Sequence, residues 1–424
     1  MSFYKAISRT PLFKATSLNS INVLLKILTG LATSKILAIF IGPAGMAIAG
    51  NFKNFMTSVE SIATLGFQNG IVKYIVESKN DQTQFKKVVS TVFISLLAVS
   101  VLMSVVLFSL ASYWSITVLD NTPQYRNAFK VLALVLPWYA TTAFLIVVLN
   151  GLGKYRSVIY TNIIGNLVGL SFCLAAVWYF KTMGALLSII IPPALMFFVV
   201  FYYLNREIRF FEVIFSKTYD TQVLRNLSSY SLMALVSSVI GSWVMLAIRK
   251  NTIAVLGFEK AGYWEAMSRI SNYYLLFIST ILTVYFFPKL AFATTKKATK
   301  NVFWSYYKGI MPLFLAGLFV MFLLRFWVIQ FIFTKDFYPV ADLFLWQLLG
   351  DVFKAASLIL GYQFFAKKLT VAFISTELFS LSMMYGFSYY LVTIFDIQGV
   401  VMGYALAYFI YWLTLVIYFR KYLF

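Results

Sequence analysis

The sequence has no histidine and a single cysteine, Cys173, in 424 residues. Without histidine the chain lacks the usual general base, the commonest zinc ligand and the side chain that titrates near neutrality. One cysteine excludes a disulfide within the chain. Charge is scarce too, at 12% of residues, against about 25% in an ordinary globular domain. There is no G-x-x-x-x-G-K-[ST] phosphate loop and no polar stretch long enough to house one, which excludes nucleotide-driven pumping. Alternating ten-residue strands with short turns are absent, so a membrane β-barrel is excluded as well. No catalytic constellation, metal-ligand cluster or cofactor fingerprint stands in their place. The chain is therefore read as a non-enzyme that needs neither cofactor nor metal.

What is present is apolar: 61% of residues are hydrophobic and 19% aromatic, in long runs. Inside a bilayer the backbone must satisfy its own hydrogen bonds, so such runs are helices. The windows predict an all-α integral membrane protein with twelve spans, at about 18–41, 46–75, 88–112, 128–150, 156–180, 183–204, 227–250, 261–287, 303–326, 341–366, 370–394 and 398–419. The basic N-terminus followed by an apolar run has the look of a leader. The run 18–41 is too long for one and carries two lysines, Lys26 and Lys35, so it reads as the first span.

An even number of spans puts both termini on one side. On that side lie Lys5, Arg9, Lys14, Lys79, Lys86, Lys87, Lys154, Arg156, Arg206, Arg209, Lys217, Arg225, Lys289, Lys296, Lys297, Lys300, Lys367, Lys368, Arg420 and Lys421. The opposite loops hold only Arg126, Lys181, Lys260 and Lys335. Twenty cations against four place both termini in the cytoplasm by the positive-inside rule. Cytoplasmic loops thus account for most of the +21 net charge, and no nucleic-acid partner is expected.

The longest connection, NREIRFFEVIFSKTYDTQVLRN, falls at the midpoint. Its Phe210, Phe211, Val213, Ile214 and Phe215 alternate with charges, which predicts a segment lying on the cytoplasmic leaflet. The expected organisation is an N-lobe over 1–205 with spans one to six, an interfacial linker over 206–226, and a C-lobe over 227–424 with spans seven to twelve. A weak internal repeat agrees. Lys35 stands seven residues before Gly42, with Ala44-Gly45 following, and Lys250 stands seven before Gly257, with Ala261-Gly262 following. Both would run in the same direction across the membrane, as parallel repeats.

The chemistry is carried by charges inside the spans. In the second, Lys53, Thr57, Glu60, Thr64 and Gln68 form one helical stripe. The eighth has Glu265, Arg269 and Asn272; the tenth has Gln347, Asp351 and Lys354; the seventh ends in Arg249-Lys250; the eleventh carries Glu377. A bland reading pairs Glu265 with Arg269 and Asp351 with Lys354 as internal ion pairs. Yet the cations Lys26, Lys35, Lys53, Arg249, Lys250, Arg269 and Lys354 outnumber the acids Glu60, Glu265, Asp351 and Glu377, so pairing cannot neutralise the interior. A charge at mid-bilayer costs about 2.5–3.5 kcal/mol on insertion scales, so such residues face protein or water. The surplus predicts a central cationic cavity for an anion, with a phosphate or diphosphate suited to Arg and Lys. The four acids are candidates for ion coupling or gating. Trp264 and Tyr263, beside Glu265, are candidates to stack on sugar rings, or else interfacial or lipid-facing bulk like most of the aromatics.

Three runs carry a resemblance: IFIGPAGMAIAGNFKNFMTSVESIATLGFQNGIVKYIVE, SLMALVSSVIGSWVMLAIRK and LFLWQLLGDVFKAASLILGYQFFAKK. They resemble the Wzx-type flippases of polysaccharide biosynthesis, including the O-antigen translocases and the lipid III flippases of enterobacterial common antigen. These belong to the multidrug/oligosaccharidyl-lipid/polysaccharide exporter (MOP) superfamily. The resemblance implies twelve helices in two six-helix lobes, a MATE-like fold. It implies a substrate as well: an undecaprenyl-diphosphate-linked glycan moved from the cytoplasmic to the periplasmic leaflet of the bacterial inner membrane. It would set Lys26, Lys53, Arg249, Lys250 and Lys354 on the cavity and matches Asp351 to the acid of a G-D-x-x-K run. The chain departs from the enterobacterial pattern at Glu265, Arg269 and Asn272. Expected partners are that glycan lipid and the bilayer, with a polysaccharide polymerase and a chain-length regulator as candidate protein partners. Two rivals are a multidrug/cation antiporter of the same superfamily, which would want an acid-rich cavity, and a membrane-embedded polymerase or ligase, which would want a large periplasmic loop.

Overall fold

The computed structural model describes residues 11–78, 81–120, 122–214 and 219–423, with side chains described at all of these except 11–19, 68, 69, 229 and 230. Expectations resting on Lys5, Arg9, Lys79, Phe215 and Lys217, or on the side chains of Lys14 and Gln68, lie outside the described residues.

Every regular element among the described residues is helical. In chain order these are α1 (Pro11–Ala63), α2 (Gln68–Ser78), α3 (Gln82–Ser109), α4 (Ala111–Val118), α5 (Arg126–Gly151), α6 (Tyr155–Asn205), α7 (Phe210–Ile214) and α8 (Thr221–Leu235). There follow α9 (Gly241–Ile281), α10 (Phe287–Phe292), α11 (Lys296–Gly309), α12 (Met311–Leu323), α13 (Arg325–Ile332), α14 (Phe344–Ala366), α15 (Thr370–Tyr418) and α16 (Arg420–Leu423). Eight stretches are long and apolar enough to cross a membrane. Their outer faces carry large apolar side chains that no protein covers, such as Leu102, Phe198, Phe319 and Leu313, the last 73% exposed. Contiguous apolar surface of this kind needs lipid around it. The chain is a multi-pass membrane protein.

Four of the long helices are broken by positive-φ residues with non-helical backbone. These are Gly42 in α1 (φ 60°, ψ −170°), Lys181 in α6 (φ 48°, ψ −126°), Gly257 in α9 (φ 86°, ψ 169°) and Asp396 in α15 (φ 55°, ψ −147°), the last with Phe395 (φ −113°, ψ 20°) also non-helical beside it. The breaks come in pairs. Gly42 and Gly257 stand 215 residues apart, as do Lys181 and Asp396, and so do Gly153 and Lys368, the positive-φ residues just ahead of α6 and α15. Tight packing repeats as well. A Cβ on Gly184 would meet the Val177 nitrogen at 2.8 Å, and one on Gly399, again 215 residues on, would meet Val392 nitrogen at 2.6 Å. The repeat expected from Lys35 and Lys250 therefore extends through the backbone of both halves.

One expectation is corrected. The second span is not continuous over 46–75: α1 ends at Ala63, the chain turns through Leu65 and Gly66 with positive φ, and α2 starts at Gln68. Gly66 fits there because its neighbour is backbone, with Ser231 O at 2.9 Å from where a Cβ would sit. The midpoint segment packs one face against the protein. Phe210, Val213 and Ile214 are buried, while Phe211 alone of its described aromatics before Tyr219 is exposed, at 60%. The reason is helical spacing: i, i+3 and i+4 share a face, and in α7 that face meets Phe93 and Phe201. Polar contacts secure the segment to α3. Ser90 donates to Ile214 O (3.0 Å), Asp220 N donates to Thr91 Oγ1 (3.0 Å), and Lys87 pairs with Asp220 (3.0 Å).

The chain divides into two compact units. One comprises the chain through Thr33 with Met56–Leu235; the other comprises Ser34–Phe55 with Val236–Phe424. The middle of α1 thus belongs with the second unit, where Gly262 lies so close to Pro43 that a Cβ would stand 2.8 Å from the Pro43 Cα.

Candidate functional site

The second unit builds its most polar interior from the middle of α1 and the two halves of α9. Three requirements place the charges there. A helix carrying Gly50 leaves room at one face. The break at Gly257 folds α9 back so that Arg249, before it, faces Glu265, after it. A further turn of the same helix then sets Arg269 four residues beyond Glu265.

Glu265 is the hub. Its Oε2 accepts from Arg249 Nη2 at 2.7 Å and its Oε1 from Arg269 Nε at 2.8 Å. Arg249 is 3% exposed and Glu265 5%. The Arg249 guanidinium also lies 5.0 Å from the centre of the Trp264 ring, and Asn51 Oδ1 stands 3.5 Å from Nη1. A Cβ on Gly50 would fall 2.9 Å from Arg249 Nη1 and 2.7 Å from Glu265 Cδ, so only glycine lets α1 approach this pair. Lys53, exposed one turn along, is near enough for its field to act on Glu265. Ser34 and Tyr273 share a hydrogen bond of 2.8 Å beside the group. One carboxylate thus serves two guanidinium ions, leaving this group with a net positive charge. Three buried N–H donors here, Asn51 Nδ2, Asn54 Nδ2 and Arg249 Nε, have no hydrogen-bond partner among the described residues.

A second group lies in the same unit around Asp351, which is wholly buried. It accepts from Ser271 (2.7 Å), Tyr404 (2.7 Å), Gln347 (3.3 Å) and Tyr274. The Asp351–Lys354 ion pair of the bland reading is not formed, whereas its Glu265–Arg269 pair is. Hydroxyls and an amide fill the carboxylate, and Lys354 lies over the rings of Tyr404 and Tyr408, 5.6 and 5.2 Å from their centres. Glu377 meets Ser237 (3.2 Å) and Tyr411 (3.5 Å).

The other expected site residues are dispersed. Lys35 donates to the backbone carbonyls of Gln330 (2.9 Å) and Phe333, closing the C-terminal end of α13. Lys250 follows Arg249 on α9. Lys26 and Glu60 belong to the first unit, where Lys26 is exposed and Glu60 accepts from Tyr139 at 2.7 Å. The stripe that links Lys53 to Glu60 is therefore split between units. Trp264 and Tyr263 are buried, the first beneath Arg249 and the second donating to Glu259 at 2.7 Å, so neither offers a face to a sugar.

Residues missing from the sequence reading are Gly50, Asn51, Ser271, Tyr274 and Tyr404. A signal existed for one set: Tyr404, Tyr408 and Tyr411 recur at helical spacing in one span.

The sequence pattern of the family described as "Polysaccharide biosynthesis protein" matches residues 36–342, taking in Lys53, Arg249, Glu265 and Arg269. The chain belongs to this family. Polysaccharide biosynthesis proteins similar to it include the lipid III flippase of Escherichia coli (strain K12), 29% identical over 400 residues, which are 94% of this chain and 96% of that one. The lipid III flippase of Shigella flexneri matches to the same extent. Among solved structures, one titled as the inward-facing conformation of a multidrug resistance MATE family transporter of the MOP superfamily aligns with a TM-score of 0.76. It is 15% identical and the match covers 96% of this chain and 98% of that one, a likeness that shows the fold.

Proposed function

We propose that this protein is a flippase for a lipid-linked oligosaccharide. In this reading it moves an undecaprenyl-diphosphate-linked repeat unit of O-antigen or a related polysaccharide from the cytoplasmic to the periplasmic leaflet of a bacterial inner membrane. One observation carries the reading: Glu265 is shared by Arg249 and Arg269, so the Arg249–Glu265–Arg269 group carries one positive charge more than its carboxylate balances. A buried charge of that sign suits a diphosphate, to which Arg offers a planar fork and Lys53 a point charge. The two lipid III flippases lend the substrate class. The four helix breaks support counting twelve spans. The reading arranges them in two six-helix lobes about a central cationic cavity, with both termini cytoplasmic.

Transport then proceeds by alternating access, with the glycan passing through water and the lipid tail remaining in the bilayer. With the cell interior negative, outward movement of a lipid carrying about two negative charges is downhill by roughly 2.3 kcal/mol per charge per 100 mV. Proton coupling, where it operates, falls to Glu60, Asp351 and Glu377. These acids are met by hydroxyl or amide groups rather than by an ion pair, and such partners serve a protonated carboxyl as well. A cationic drug would meet repulsion at the Arg249–Arg269 group, which weighs against the antiporter reading.

The test is flipping of a polyprenyl-diphosphate sugar by the purified protein in vesicles. Arg249→Ala and Lys53→Ala should each abolish it. Lys53 is exposed, so its variant should fold normally, and full activity in Lys53→Ala together with Arg249→Ala would remove the diphosphate-site reading.

A further inference from the structure

Outside the charged interior, the first unit carries an open cleft of 310 Å³ lined by Lys86, Arg209, Glu207, Glu212, Phe85 and Leu152 among others. Its position is set by helix ends. α3 begins at Gln82, α5 ends at Gly151 and α6 ends at Asn205, and all three are candidate membrane spans. Where spans of that length end, the bilayer changes from hydrocarbon to head groups. The wall beside it carries exposed aromatics suited to that depth, Tyr202, with Arg206 4.3 Å from its ring centre, and Phe211.

The charges around the cleft are unequal in one respect. Glu207 is taken by Lys154 at 2.5 Å, and Glu212 by Arg209 at 3.0 Å. The neighbouring Lys87 has Asp220 at 3.0 Å. Lys86, half-buried in the cleft, has no carboxylate partner, although all 14 acidic side chains of the chain lie among the described residues. The floor beneath it, Phe85, Leu152 and Val213, is apolar. An unpaired ammonium above an apolar floor, at head-group depth, fits an anionic group attached to something greasy.

We propose that this cleft holds the phosphodiester head group of a membrane phospholipid, with Lys86 on the phosphate and the first carbons of the lipid on Phe85 and Leu152. The site lies wholly within the first unit and is separate from the charged group proposed for the transported lipid. A soluble phosphate shares the chemistry that Lys86 offers but not the use of the floor.

The experiment is native mass spectrometry of the full chain in detergent, titrated with phosphatidylglycerol and, in a parallel arm, with inorganic phosphate. One phosphatidylglycerol should be retained. Lys86→Gln should weaken its retention about tenfold, the scale of one charge-assisted contact. Lys86→Arg should hold it, and Lys87→Gln, whose lysine is already engaged by Asp220, should retain it like the parent. Leu152→Trp, which fills the cleft without touching a charge, should also lose the lipid. Unchanged retention in both Lys86→Gln and Leu152→Trp would overturn the site. Binding of inorganic phosphate that depends on Lys86, with no lipid retained, would overturn the assignment to a lipid.

Discussion

Replacing Glu265 by Gln removes the one negative charge that Arg249 and Arg269 share while keeping the side chain's shape. At 2.7 and 2.8 Å, each contact is worth about 6 kcal/mol of gross attraction at an effective dielectric constant of about 20. Desolvation opposes most of that, and the amide oxygen of Gln can still accept one hydrogen bond. The net loss expected is therefore about 3–5 kcal/mol, the cost of removing one partner from a buried ion pair. Thermal or denaturant unfolding in detergent micelles would measure it. The double variant Arg249→Met/Glu265→Gln removes the most deeply buried cation together with its acid, and it should recover most of the lost stability without recovering flipping. Added diphosphate should stabilise Glu265→Gln more than the parent, because two arginines then compete for no protein anion. A single variant within about 0.5 kcal/mol of the parent, the range of ordinary surface changes, would refute the view that Glu265 balances both arginines.

Three further outcomes are expected. Gly262→Ala gains about 1 kcal/mol of helix propensity, yet its methyl would run into the backbone of Pro43. Overpacking costs about 1–3 kcal/mol and more where backbone blocks relaxation, so the unfolding midpoint should fall. Lys35→Ala leaves the carbonyls of Gln330 and Phe333 without their ammonium and should cost about 0.3–2 kcal/mol, read as faster hydrogen exchange at the end of α13. Asp220, outside the spans, is held below its ordinary value of 3.8, first by the Gln222 backbone N–H and then by Lys87. A depressed carboxylate contributes fully above its unfolded value and loses that contribution as the pH falls through the folded one. Protection of the segment from proteolysis should thus be flat from neutrality to about pH 5 and decline only below pH 3.8, with Lys87→Ala moving the decline upward.

Much of this architecture was legible because membrane spans obey a strong local rule: uninterrupted apolar residues of sufficient length must be helical. The glycine turn at Gly42 announced itself through Gly42-Pro43, where a proline cannot continue the preceding helix but starts the next one well. The matching breaks at Lys181 and Asp396 fall in the short gaps between apolar windows, at 181–182 and 395–397. Their shared signature, Phe-x-x-x-Gly in FKTMG and FDIQG, marks them as one repeated turn once the 215-residue offset is known. Charge counting listed Arg249, Glu265 and Arg269 among the charges inside spans, but spacing alone joined Arg269 to Glu265 and not Arg249, sixteen residues back across the Gly257 turn. The midpoint segment shows the complementary limit. Alternation of aromatics and charges suggested a segment lying on the leaflet but not its helical turn, which sorts Phe210, Val213 and Ile214 into one buried face.

The repeat also explains why the charges themselves do not repeat. At an offset of 215 residues, Glu265 corresponds to Gly50, Arg249 to Ser34 and Arg269 to Asn54. In the second unit these corresponding stretches of α1 and α9 lie against each other, and Gly50 faces Glu265 itself. Where two copies of one segment meet at equivalent positions, the crossing has room for one long side chain and not for two. A glycine on one copy is the condition for an acid on the other. Once the acid resides on α9 alone, both arginines that bind it must reach it from that helix, and α1 supplies only space, Asn51 and the exposed Lys53. The one-sided charge of this interior is thus a consequence of how the duplicated helices pack, and it leaves the positive surplus on which the proposed diphosphate site depends.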